Sequence, residues 1–123
     1  MVVDDDPDMR RALTACLDAE GYEVELCEHG RDALERLELG SRPDVIVLDL
    51  MMPVLNGLEL LEVLHNDERW SGIRVIVASA TRGYSQEDLG VHCSLEKPFQ
   101  LEDLFEAIEA WPRGVRVAGA RSQ

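Results

Sequence analysis

A short aliphatic run, Val45–Leu48, constrains the fold of this chain more than any other stretch. It has four consecutive aliphatic residues, three of them β-branched, and the turn residues Pro53 and Gly57 follow it closely. Such a run is typical of a strand that is buried on both faces in the middle of a parallel sheet. Asp49 comes directly after the run. The sequence therefore predicts a carboxylate at the carboxyl end of a buried strand, which is the edge where open α/β sheets bind ligands.

Length and charge narrow the classes of function. The chain has 123 residues and a net charge of −13 at pH 7. This length suits one domain with its own hydrophobic core, and the charge opposes direct binding to nucleic acid. No apolar run reaches the roughly 18 residues of a transmembrane helix, and the acidic start of the chain is unlike a signal peptide. We therefore expect a cytoplasmic protein without membrane insertion. The three cysteines form no metal-binding or disulfide pattern, so we expect reduced thiols.

The order of the predicted elements indicates the fold class. Five strands are predicted at residues 2–4, 22–27, 44–49, 73–79 and 93–96. Five helices are predicted at residues 7–20, 30–39, 57–68, 85–89 and 101–111. Regular alternation with right-handed crossovers gives an α/β fold, a (βα)5 doubly wound parallel sheet with helices on both faces. We expect one domain over residues 1–112 and a frayed tail over residues 113–123, which have no periodicity.

Polar side chains follow four of the predicted strands. They are Asp4 and Asp5 after the first, Asp49 after the third, Ser79 at the end of the fourth and Lys97 after the fifth. Three carboxylates at one sheet edge repel one another, and Mg²⁺ is a hard cation that prefers oxygen ligands. Together with an ammonium and a hydroxyl, this set would hold a phosphoryl group. The pattern predicts Asp49 as a nucleophile that becomes an aspartyl phosphate.

Three segments resemble the receiver domain of two-component response regulators, particularly the chemotaxis receiver. They are Val-Val-Asp-Asp-Asp-Pro at residues 2–7, Val-Leu-Asp-Leu-Met-Met-Pro with the later Asn-Gly at residues 47–57, and Glu-Lys-Pro-Phe at residues 96–99. Each segment alone is a weak signal, but their order along residues 2–111 is specific. The resemblance implies the flavodoxin-like strand order 2-1-3-4-5.

The resemblance also implies roles for the residues that match the motifs. Asp5 is expected to bind Mg²⁺ directly, Asp4 through water, and Met51 through its backbone carbonyl, with Asp49 as a further metal ligand and the phosphoacceptor. Lys97 is expected to contact a phosphoryl oxygen, after a cis Lys97–Pro98 bond.

Ser79 is the hydroxyl that is expected to move toward the phosphoryl group. Lys97 is the only lysine in the chain, which favours a role that the planar fork of arginine cannot fill.

The implied function is a receiver that accepts a phosphoryl group from a histidine kinase or a phosphotransfer protein. Output would pass to a protein partner or to an output domain outside this chain, and the only catalysis would be of its own phosphorylation and dephosphorylation. The alternative is an adaptor of the same fold that acts without phosphorylation. A dehalogenase-type phosphatase would need a second aspartate at the position of Met51.

Two departures from the receiver pattern concern the readout of phosphorylation. Ser94 occupies the position, three residues before Lys97, where receivers usually carry an aromatic side chain. Ser79 and Lys97 are 18 positions apart, and this is about four residues, or one helical turn, fewer than the resemblance implies. We therefore expect a shortened fourth helix between the fourth and fifth strands.

Overall fold

Five parallel strands form one sheet in the order 2-1-3-4-5. The computed structural model describes residues 1–52, 55–80, 89–91 and 93–109. The strands are β1 (Val2–Val3), β2 (Leu26–Cys27), β3 (Val45–Leu48), β4 (Arg74–Ser79) and β5 (Cys93–Glu96). The predicted alternation of strands and helices and the predicted strand order are both confirmed, and β3 lies at the centre of the sheet.

Four helices are described, and they connect or follow the strands. They are α1 (Pro7–Ala19), α2 (Gly30–Glu38), α3 (Gly57–His65) and α4 (Leu101–Glu109). Only Leu89 of the helix expected at residues 85–89 is described, so its shortening lies outside the described residues, as does the tail at 113–123. In the part of the chain that the structure describes, no helix combines the length and the apolar character needed to cross a bilayer.

Side chains at the helix starts satisfy backbone N–H groups. Asp6 caps α1 by accepting a hydrogen bond from the backbone of Asp8 at 3.0 Å, and Pro7 follows it. Asn56 and Glu59 form a reciprocal capping box at the start of α3. The sequence pattern gave no role to His29, yet its Nδ1 accepts a hydrogen bond from the backbone of α2 at 3.1 Å.

Two predicted elements are shorter than expected by at least three residues. The strand expected at 22–27 is reduced to β2, because β2 lies at the sheet edge and pairs only with β1, which has two residues. The helix expected at 57–68 ends at His65, because Asp67 accepts a hydrogen bond from the backbone of Arg69 at 2.9 Å and stabilises a turn there.

The core has two layers, one on each face of the sheet. Ile46 and Leu48 of β3 face one layer, and Val47 between them faces the other. Full burial of such a side chain contributes about 1.5–3 kcal/mol to stability. The sheet is therefore packed on both faces, and its carboxyl edge has a fixed geometry.

The three cysteines are free thiols, and burial raises the pKa of the Cys27 thiol to about 12.

Candidate functional site

Asp4 and Asp49 lie side by side at the carboxyl edge of the sheet, because the parallel ladder continues one residue beyond each strand. The backbone N–H of Asp4 donates to the carbonyl of Cys27 at 3.1 Å, and that of Asp49 donates to the carbonyl of Val3 at 3.0 Å. These backbone hydrogen bonds position the two residues independently of their side chains. Both residues are buried.

Lys97 reaches these two acids from the other side of β4. Its backbone N–H donates to the carbonyl of Ser79 at 2.9 Å, which continues the pairing of β4 with β5. Its Nζ donates to Oδ2 of Asp4 at 2.8 Å and lies 3.6 Å from Oδ2 of Asp49. The Lys97–Pro98 peptide bond is cis, as expected. One ammonium therefore bridges two carboxylates from different strands.

The Asp49 carboxylate has two further hydrogen-bond partners. The backbone N–H of Met51 donates to Oδ1 at 3.2 Å, and the hydroxyl of the buried Ser79 forms a hydrogen bond with the same carboxylate. Ser79 therefore lies against Asp49, as the sequence predicted. The Met51 side chain is 64% exposed, so it borders the site without filling it.

Burial and charge act in opposite directions on the ionisation of these groups. Burial raises the pKa of Asp49 and outweighs the opposing charge of Lys97 and the hydrogen bond from Met51. Burial also acts to lower the pKa of Lys97. The hydrogen bond and charge of Asp4, followed by the charge of Asp49, outweigh this effect and raise that pKa. Burial therefore disfavours the charged form of both groups, and the charge of each affects the ionisation of the other.

Three carboxylates are placed where a metal ion could bind. Oxygen atoms of Asp4, Asp5 and Asp49 all lie within 4.8 Å of one another, and Asp5 is exposed to solvent. An all-carboxylate set with an open side suits a hard divalent cation that keeps several waters, such as Mg²⁺. The predicted metal-ligand carboxylates are thus together, whereas the Met51 carbonyl as a ligand stays a prediction.

Two residues shape the site and were not singled out from the sequence as part of it. A Cβ atom on Gly57 would lie 2.4 Å from the carbonyl oxygen of Asp49, so only glycine lets α3 begin this close to β3. Arg10 donates from Nη1 to the backbone carbonyl of Asp4 at 2.7 Å. The sequence pattern marked the Asn56-Gly57 pair as a turn and as part of the receiver motif, but gave it no role in the site. No spacing rule marks an arginine that reaches back across a helix start.

Comparison with known proteins agrees with this geometry. Residues 1–109 match the family described as "Response regulator receiver domain". The chain belongs to this family. The receiver domain is the phosphorylation-linked signalling module of two-component systems, and the resemblance found in the sequence motifs is confirmed. Ser94, the residue that departs from the receiver pattern, lies in β5 opposite Val77.

Curated relatives of this receiver domain are response regulators. The chain is 41% identical over 112 residues to response regulator MprA of Mycolicibacterium vanbaalenii, covering 89% of the chain and 48% of that relative. It is 39% identical over 119 residues to response regulator MprA of Mycobacterium ulcerans, covering 95% of the chain and 51% of that relative. The chain therefore spans about half the length of the curated relatives it matches.

Solved structures of similar fold are also receivers. One is the signal receiver domain of a histidine kinase from Syntrophus aciditrophicus, with a TM-score of 0.83, 26% identity and coverage of 99% of this chain and 95% of that chain. Another is the response regulator TrrA from Thermotoga maritima in complex with Mg²⁺-BeF, with a TM-score of 0.78, 29% identity and coverage of 89% and 94%.

Proposed function

We propose that this receiver domain accepts a phosphoryl group on Asp49 from a histidine kinase or a phosphotransfer protein. The observation that carries the proposal is the position of Lys97, whose ammonium lies within 3.6 Å of both Asp4 and Asp49. A cation in this place can meet the charge of a phosphoryl group attached to Asp49, and positioned charge is most of phosphoryl-transfer catalysis.

The metal ion of the proposed site is Mg²⁺. Asp4, Asp5 and Asp49 would hold it, with the Met51 carbonyl as a further ligand. When bound, it would neutralise charge on the phosphoryl oxygens. TrrA of Thermotoga maritima, a relative by structure, was solved with Mg²⁺-BeF, and the three clustered carboxylates of this chain offer the same kind of ligand.

The residues of the chain would divide the transfer step among themselves. A carboxylate oxygen of Asp49 forms a bond to phosphorus as the P–N bond of phosphohistidine breaks, and the ring nitrogen keeps the electron pair. The ring carries a proton on its other nitrogen, so it leaves as neutral imidazole. Lys97 and Ser79, which already contact Asp49, would donate hydrogen bonds to the transferred phosphoryl oxygens. The domain catalyses only its own phosphorylation and dephosphorylation.

Output would pass to a protein partner or to an output domain outside this chain. The net charge of −13 opposes direct contact with nucleic acid. The alternative, an adaptor that works without phosphorylation, is favoured by one observation: Ser94 stands where receivers usually have an aromatic switch residue. A serine cannot fill and vacate a pocket as a ring does.

Labelling with acetyl phosphate and Mg²⁺, followed by intact-protein mass spectrometry, tests the proposal. Wild type should gain one phosphoryl group and Asp49→Asn none. The matched control is Asp67→Asn, which removes a surface carboxylate and should label like wild type. Labelling of Asp49→Asn would show that another residue is the acceptor. A folded wild type that takes no label would support the adaptor function.

A further inference from the structure

Arg10 of α1 connects three segments around the acidic cluster. Its Nη1 donates to the backbone carbonyl of Asp4 at 2.7 Å, and its Nη2 lies 3.9 Å from a carboxylate oxygen of Glu28, directly after β2. The side chain is only 16% exposed, whereas that of Glu28 is 71% exposed. The guanidinium is therefore mostly enclosed, and its short contact is with the main chain of the site.

With this contact, each polar atom of Asp4 has a partner. Its backbone N–H donates to Cys27 at 3.1 Å. Its carboxylate accepts from the backbone of Asp6 at 2.9 Å and from Lys97 at 2.8 Å. The carbonyl is the remaining atom, and Arg10 is its donor. That carbonyl belongs to the peptide that leads into Asp5, so its orientation sets the direction in which the exposed Asp5 side chain leaves the backbone.

We propose that Arg10 is a positioning residue for the divalent-cation site. It acts through the Asp4–Asp5 peptide and holds the Asp5 carboxylate within reach of Asp4 and Asp49, without touching the cation itself. This inference rests on the proposed function of the acidic cluster. Partners of this kind, which orient metal ligands from behind, change metal affinity by about 10–100-fold when they are removed.

The charge of Arg10 works against this effect, since a guanidinium beside a cation site repels the cation. The two effects give opposite predictions for a neutral substitution. If positioning dominates, Arg10→Met weakens cation binding; if repulsion dominates, Arg10→Met strengthens it. The ion-pair partner Glu28 offsets part of the repulsion. Methionine, in contrast, cannot replace the hydrogen bond that Arg10 donates to the Asp4 carbonyl. We therefore expect positioning to dominate.

The experiment measures Mn²⁺ binding to the unphosphorylated full chain by electron paramagnetic resonance. Mn²⁺ is suited to the same oxygen ligands as Mg²⁺. Arg10→Met and Arg10→Lys should each weaken binding about 10-fold, because neither provides the rigid guanidinium fork. The matched control is Arg11→Met, which removes the next cation of α1, an exposed side chain paired with Asp8. It should bind Mn²⁺ as wild type does.

The outcomes separate this inference from the proposed function. A dissociation constant measured on folded protein does not move when a substitution merely lowers stability, and Arg10→Lys retains the charge and the stem if Arg10→Met unfolds. Unchanged or tighter binding in Arg10→Met, or unchanged binding in Arg10→Lys, would overturn the role of Arg10. Wild type without Mn²⁺ binding, or binding that survives Asp5→Ala, would instead overturn the metal site and the inference that rests on it.

Discussion

Two charge clusters of this receiver domain have the same composition, one cation and two carboxylates, in opposite surroundings. The buried cluster consists of Lys97, Asp4 and Asp49, and the surface cluster consists of Arg69, Asp67 and Glu38. In the buried cluster the three side chains are 5–17% exposed. In the surface cluster they are 27–52% exposed. The difference between them indicates which of the two clusters is suited to chemistry.

The surface cluster is well satisfied. Arg69 contacts Asp67 at 2.7 Å and Glu38 at 3.0 Å, and its guanidinium lies 4.2 Å from the centroid of the Trp70 ring. Hydrogen bonds from Arg69 lower the pKa of Asp67. Arg69 and Asp67 are therefore more easily kept ionised than they would be alone. Exposed pairs of this kind contribute little to stability, since solvent and salt screen them.

The buried cluster is held together less completely. Lys97 donates at 2.8 Å to Asp4 but stays at 3.6 Å from Asp49, whose pKa burial raises. Two carboxylates thus share one ammonium in a place where charges are expensive. A buried group with a raised pKa and a specific charge partner is typical of a functional site. The ammonium of lysine is also more compact than the guanidinium fork of arginine, which would need more room beside Asp49.

Replacement of the two cations should separate the clusters most strongly. Lys97→Met should lower the rate of phosphorylation by acetyl phosphate by at least about 100-fold, as loss of a preorganised donor at a reacting charge does. Arg69→Met should leave the rate within about 2-fold of wild type, because the surface cluster is remote from the reacting atoms. The measurement is the initial rate of phosphoprotein formation, with circular dichroism as the check on folding.

A smaller loss in Lys97→Met than in Arg69→Met would reverse the assignment of the two clusters. Lys97→Arg sharpens the comparison, because it keeps the charge and changes only its shape. We expect it to remain slower than wild type, since the larger guanidinium occupies the space beside Asp49.

The buried cluster was predictable from the sequence and the surface cluster was not. Asp49 and Lys97 are 48 positions apart, but each follows a recognisable strand, and parallel strands bring their carboxyl ends to one edge. The position of Lys97 was therefore fixed by topology. Arg69 and Glu38 belong to a turn and a helix end. Their contact depends on where two loops run, which no periodicity specifies.

Other failures of prediction have the same physical origin. The strand expected at 22–27 follows an alternating pattern, but an edge strand extends only as far as its partner, and β1 has two residues. Arg10 and His29 act through the backbone, one on a carbonyl of Asp4 and one on an N–H of α2. Patterns of side chains predict which faces are buried, whereas contacts of side chains with the main chain depend on local geometry.

Mg²⁺ should stabilise the domain through the three clustered carboxylates, Asp5 and the two acids of the buried cluster, and not through the surface cluster. Only the folded chain gathers Asp4, Asp5 and Asp49, so a free ion concentration 100 times the dissociation constant should add about 2.7 kcal/mol to the free energy of unfolding. Asp5→Ala should abolish this gain, and Asp67→Ala should retain it. The measurement is urea unfolding with and without Mg²⁺. An equal gain in both variants would mean that the ion acts elsewhere.

The smallest expected effect is on the pH dependence of stability, which should have opposite signs in the two clusters. The folded-state pKa of Asp49 is raised, so the native state holds its proton more tightly than the unfolded chain does. The associated stability is present below the unfolded pKa, about 3.9, and is lost as pH rises through the folded pKa. The folded-state pKa of Asp67 is lowered, so its contribution is present above the unfolded pKa and is lost as pH falls through the folded one.

Substitution by asparagine should therefore change stability in opposite directions at neutral pH. In metal-free buffer, Asp49→Asn should be more stable than wild type by on the order of 1 kcal/mol, because it removes an ionised group that burial disfavours. Asp67→Asn should be less stable, because it removes a carboxylate that Arg69 stabilises. Urea unfolding at neutral pH and at about pH 3 measures both, and both differences should shrink as the pH falls and the two carboxyls take up protons. Destabilisation by Asp49→Asn at neutral pH would mean that the attraction of Lys97 outweighs the cost of burying that carboxylate. The buried cluster would then resemble the surface cluster, in which the cation stabilises the ionised carboxylate.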